Sequence, residues 1–65
     1  MFDFLGIDPV DYRKAEAFAV AMMTRARYNK AETIEKINAA NEPKGRKRQA
    51  LIIINAGKLD GYFIN

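Results

Sequence analysis

Arg46-Lys47-Arg48-Gln49-Ala50-Leu51-Ile52-Ile53-Ile54-Asn55-Ala56-Gly57 is the stretch on which the fold turns. Read as a strand, Leu51 to Ile54 is rich in β-branched residues and Asn55-Ala56-Gly57-Lys58 is a hairpin turn, which would make the chain mixed α and β. Read as a helix, Leu51 and Ile54 face a core with Ala50 and Ile53 beside them, and Gly57 stops the helix. Length favours the helix, because about eleven unbroken residues precede Gly57 and strands are usually shorter. The expectation is a mainly α protein of three helices. Residues 44–57 form the basic third helix and residues 58–65 a short extended C-terminal tail, in which Tyr62-Phe63-Ile64 reads as a short strand or an apolar clasp and Asp60-Gly61 as a turn.

Immediately upstream, Lys44-Gly45-Arg46-Lys47-Arg48 places four cations in five residues. The net charge of the chain is only +3, so the remainder is slightly acidic and the basic character is concentrated here. A cluster of this kind suggests an anionic partner such as nucleic acid, although a solvated loop that keeps an apolar protein soluble would look the same. The aromatics that single-strand readers interleave with cations are missing from the cluster, which favours duplex DNA over RNA.

Working towards the N-terminus, Asn41-Glu42-Pro43 breaks the chain before the cluster. A second helix, within residues 29–41, buries Ala31, Ile34, Ile37 and Ala40. Asn29 is its N-cap, Glu32 completes a capping box, and Glu32 and Lys36 pair on the outer side. Residues 8–28 read as a long first helix. Asp8 caps it, Pro9 fits its first position, and Asp11 adds negative charge to its first turn. Ala15, Phe18, Ala19, Met22, Met23 and Ala26 recur at helical spacing as its buried stripe. Between Ala17 and Met23 no residue is charged. So short a chain has little with which to cover a helix all round. A second face at Ala17, Val20, Ala21 and Thr24 is therefore a candidate protein interface, with a small, mostly alanine surface needing no partner as the plain alternative. Residues 1–7 form an apolar lead-in closed by Gly6. Phe2 and Phe4 either lid the first helix or insert into a membrane surface or a partner groove.

The 65 residues make one domain. A chain of this length buries only about 60% of its unfolded surface and usually needs a staple. With no Cys and no His, disulfides are ruled out and the usual zinc ligands are absent. Self-association or residence in a larger assembly is the expected substitute. No residue constellation has catalytic spacing, so the expectation is a binding protein with no cofactor, no metal and no small-molecule substrate. The longest apolar run, residues 50–54, is far short of the roughly 20 residues that span a bilayer. No signal-peptide pattern opens the sequence. A soluble, cytoplasmic protein is expected.

Residues 31–64 resemble the small winged helix-turn-helix domains of phage excisionases and MerR-type regulators. Residues 31–40 would be the first helix of the motif and residues 46–56 the recognition helix. Ala56-Gly57-Lys58-Leu59-Asp60-Gly61-Tyr62 would be the exit into a minimal wing. The resemblance implies a DNA-binding regulator or accessory factor of a phage or other mobile element. It implies that Arg46, Lys47, Arg48 and Gln49, with Lys44 beside them, meet the groove or its phosphates, and that Lys58 and Tyr62 touch backbone near the wing. The competing expectation is an interaction protein, a small subunit of a viral or other assembly or an inhibitor of a host protein, that docks through its apolar first helix.

Overall fold

A computed structural model describes residues 5–64 of the chain. Phe2 and Phe4 lie outside the described residues. Three α-helices follow in order: α1 (Pro9–Arg25), α2 (Lys30–Ala39) and α3 (Lys44–Asn55). A single 3-10 turn, Asp60–Tyr62, comes after them, and no strand occurs among the described residues. The stretch that could have been helix or strand is therefore helix, and the fold is mainly α.

Local chemistry accounts for the helix starts. The Asp8 carboxylate accepts the Val10 N–H at 2.9 Å, with Pro9 at the first helical position. The Asn29 side chain accepts the Glu32 N–H at 2.9 Å. The capping box is only half formed, because the Asn29 N–H donates to the Ala26 carbonyl at 3.1 Å rather than to Glu32.

Helices α1 and α3 end in the same way. The Gly57 N–H donates to the Ile54 carbonyl at 3.0 Å and the Lys58 N–H to the Ile53 carbonyl at 3.3 Å, with Gly57 at φ +80°. This is the Schellman arrangement expected of a glycine stop. At the end of α1 the Arg27 N–H donates to Thr24 and the Tyr28 N–H to Met23, the same pattern with arginine in the glycine place. Arg27 stands at φ 54° and Tyr28 at φ 63°. The expectation that the first helix continues to residue 28 is corrected here. It stops at Arg25 because α2 must turn back, and the chain accepts left-handed backbone at two non-glycine residues to do so.

The core is a cluster of Ala15, Ala19, Met22, Ile37, Ala50, Ile53, Ile54 and Leu59. Half-buried Phe18, Ile34, Leu51 and Phe63 pack around it. Across Cα atoms the molecule is only 14 Å thick in its thinnest direction. That is the depth of two helix layers at the usual spacing of about 8–10 Å. Helix α1 packs against both α2 and α3. Two details of the expected core are corrected. Ala31 is exposed, and Thr33, fully buried, takes the inward position with Ile37. Thr33 can do this because its hydroxyl donates to the Asn29 carbonyl at 2.6 Å, leaving its methyl to face the core.

The C-terminal tail also differs from the expected extended wing. Among its described residues, Leu59 is buried, Asp60–Tyr62 wind into the 3-10 turn, and Phe63 is extended. The tail folds back onto the α1–α2 turn. The Ile64 N–H donates to the Tyr28 carbonyl at 3.0 Å, and Lys30 meets Asp60 at 3.5 Å. Among the described residues, the expected Glu32–Lys36 pair is not formed, and Lys30 of α2 meets Asp60 of the tail. Both partners of this contact are well exposed, so it adds at most about 1 kcal/mol. Among the described residues, no helix is long and apolar enough to cross a membrane.

Two stability outcomes follow. Ile53→Ala should lower the unfolding free energy by about 2–5 kcal/mol, because the side chain is fully buried in the shared core. Arg27→Gly should raise it, by up to about 1 kcal/mol, by relieving the left-handed backbone. Urea unfolding followed by circular dichroism reads both. A loss of stability in the glycine variant would contradict the strain account.

Candidate nucleic-acid interface

The basic cluster forms the first turn and a half of α3. Its start differs from those of α1 and α2. Pro43 occupies the N-cap, where it offers no side-chain hydrogen bond, and no acidic residue lies in the first turn. The first backbone N–H groups of α3 therefore point outward without a side-chain acceptor. Four cations near a positive helix end oppose the macrodipole, an arrangement that is locally unfavourable unless an anion comes to it.

Helical geometry sorts the cluster into two sides. Lys44, Lys47 and Arg48 line one open groove with Leu51, Ile52 and Asn55, and Asn38 of α2 closes its other wall. No carboxylate lines it. Lys44 and Arg48 are exposed, one turn apart. Lys47 is half-buried and already holds the fold, because its Nζ donates to the Asn38 carbonyl at 3.0 Å. That carbonyl belongs to the last turn of α2, where a cation suits the negative helix end.

Arg46 and Gln49 take the other side. Arg46 lies one turn before Ala50 and Gln49 one turn before Ile53, and both are half-buried. Of the five residues expected to meet DNA from this helix, Arg46 and Gln49 thus flank the core side of α3, while Lys44 and Arg48 stand free of it. Leu51, expected to face the core, packs against it and also lines the groove, where half-buried Ile52 joins it. Asn38 and Asn55 complete the lining and were missed, since a lone asparagine carries no signal until two helices bring it beside a cation.

Lys58 and Tyr62 do not join this groove. Helix α3 is 12 residues long, about 18 Å, and both residues follow its far end. They line a separate groove with Glu16, Val20, Met23, Tyr28 and Leu59. Lys58 and Tyr62, expected near a wing, thus lie in a different groove from Lys44, Lys47 and Arg48. The fold-back of the tail carries them to the side of α1. The residues read as a protein-facing side of α1, namely Ala17, Val20, Ala21 and Thr24, are all exposed, and Val20 is part of this second groove.

The unusual start of α3 has a measurable consequence. Lys44→Glu supplies the acidic first-turn residue that α3 lacks and should raise stability by about 0.3–1 kcal/mol at low ionic strength. Thermal unfolding at two salt concentrations reads it. A gain that failed to shrink with salt would count against the electrostatic explanation.

Compared with known proteins, the chain matches no family model, no curated protein sequence and no solved structure.

Proposed function

We propose that this chain is a small, non-enzymatic DNA-binding protein, a regulator or accessory factor, that sets the open face of α3 against duplex phosphates. The observation that carries the reading is the groove in which Lys44, Lys47 and Arg48 converge with no carboxylate among the lining residues. Lys44 and Arg48 form no salt bridge with any described residue. An uncapped helix start beside them adds N–H donors suited to a phosphate oxygen. The half-exposed Leu51 and Ile52 supply apolar surface of the kind that meets thymine methyl groups.

The likeness to winged helix-turn-helix domains belongs to the same reading. Four residues, 40–43, separate α2 from α3. A turn of three to four residues is typical of that motif. The wing is not part of the reading, since the tail folds back instead of extending. The chain acts, on this reading, as a homo-oligomer or within a larger assembly, as its small core suggests. The competing role, an interaction protein that docks through α1, draws its support from the exposed face of that helix and does not need the basic groove.

The test is fluorescence anisotropy with a generic duplex across a salt series. Binding should weaken log-linearly with salt, and changing Lys44 and Arg48 together to Gln should reduce the slope by about 1.8, at roughly 0.9 per phosphate contact. Arg46→Gln should change it by less than half as much. Tight binding that survives the double change would remove the groove from the reading. No binding at low salt would remove DNA from it.

A further inference from the structure

Five large apolar side chains stand exposed among the described residues: Val10, Val20, Tyr28, Tyr62 and Ile64. Their exposure runs from 38% at Val20 to 79% at Ile64. Val10 stands apart at the start of α1, and the other four are grouped. Val20, Tyr28 and Tyr62 line one groove between α1 and the folded-back tail. Ile64 is bonded through its N–H to the Tyr28 carbonyl at the groove end. Single exposed apolar residues need no explanation, but a grouped set with two tyrosines has the composition of an interface core.

Charge selects the occupant. The groove carries one acid and one base, Glu16 and Lys58, and neither makes a salt bridge with any described residue. The α3 groove, by contrast, is lined by three cations and no acid, so two copies meeting there would repel. On a chain of net charge +3, the groove beside the tail is a place where a second copy meets no excess of like charge. A two-fold axis lying in the contact plane between Glu16 and Lys58 would set each Glu16 opposite Lys58 of the other copy, and the tyrosines of both copies together at the centre.

The geometry points to a two-fold homodimer formed through this groove, with Glu16 of each copy paired to Lys58 of the other. The inference rests on the self-association stated above and names its surface. It also gives Lys58 and Tyr62 a role other than touching DNA. The α3 groove is left open on each copy.

The dimer is tested without DNA, on the full chain, by sedimentation equilibrium from micromolar to millimolar concentration. Glu16→Lys and Lys58→Glu should each weaken the dimer about tenfold, because each turns two attractions into two repulsions. The double exchange, E16K with K58E, should restore it. Tyr62→Ala, an exposed position outside the core, should weaken it about tenfold without recovery. Circular dichroism confirms that each variant keeps its helices. A dimer indifferent to the single reversals, or one that the double exchange fails to restore, overturns this surface while leaving self-association standing. A monomer at every concentration overturns both. DNA binding is read separately and decides neither.

Discussion

Small side chains where α1 meets α3 are the constraint on which the rest of the molecule depends. Ala15 and Ala19 on α1 and Ala50 on α3 are all fully buried in the shared core. With only methyl groups between them, two helices can approach closely, and Ile53, Ile54 and Ile37 fill the space on either side. A larger residue at any of the three would push α1 away from both of its neighbours. The same close approach fixes the rotation of α3. Once Ala50, Ile53 and Ile54 point inward, Lys44 and Arg48 have to point outward, and Arg46 falls on the core side. The basic groove is thus a consequence of core packing as much as of the positions of the cations.

A core this small leaves nothing to spare. Disulfides and histidine ligands are absent, and the described tail is fastened by a hydrogen bond, an ion pair and a buried leucine. The Ile64 N–H to the Tyr28 carbonyl, the Lys30–Asp60 contact and the burial of Leu59 bring the tail onto the α1–α2 turn. The hydrogen bond and the ion pair are each worth little at an exposed site, and the burial of Leu59 contributes about 1.5–3 kcal/mol. Together they bury Leu59 and half-bury Phe63 against the cluster. The cost falls on the backbone, because Arg27 and Tyr28 adopt left-handed conformations to reverse the chain in so few residues.

The parts of this structure that were legible in the sequence are those written in local chemistry. Asp8-Pro9, Asn29 and Gly57 each mark a helix boundary by a mechanism that acts within four residues, and each is found in place. Periodicity likewise picked out the buried stripe of α1. Whatever depended on distant parts of the chain was hidden. The stop after Arg25 was missed because arginine carries no signal for left-handed backbone. The burial of Thr33 was missed because hydropathy does not show that a threonine hydroxyl will find a carbonyl one turn back. The wing is an expectation of the resemblance, and the apolar run Tyr62-Phe63-Ile64 suits a short strand as well as a clasp. In fact the tail follows Leu59 into the core, and Asp60–Tyr62 turn to allow it.

The same distinction separates the groove on α3 from the run of cations in the sequence. A run of cations in a sequence looks like a single patch, but a helix turns 100° per residue and distributes a run over its whole circumference. Lys44 and Arg48 share a face because they are four apart. Arg46, between them, does not. Lys47 lies next to the groove but has a prior engagement, since its ammonium group holds the Asn38 carbonyl and so ties α2 to α3. Removing that charge would disturb the wall of the groove as well as its potential. For this reason Lys44 and Arg48, which are exposed and support nothing else in the described fold, are the cleaner reporters of an anionic partner. A change at Lys47 would mix binding with the relative placement of the two helices.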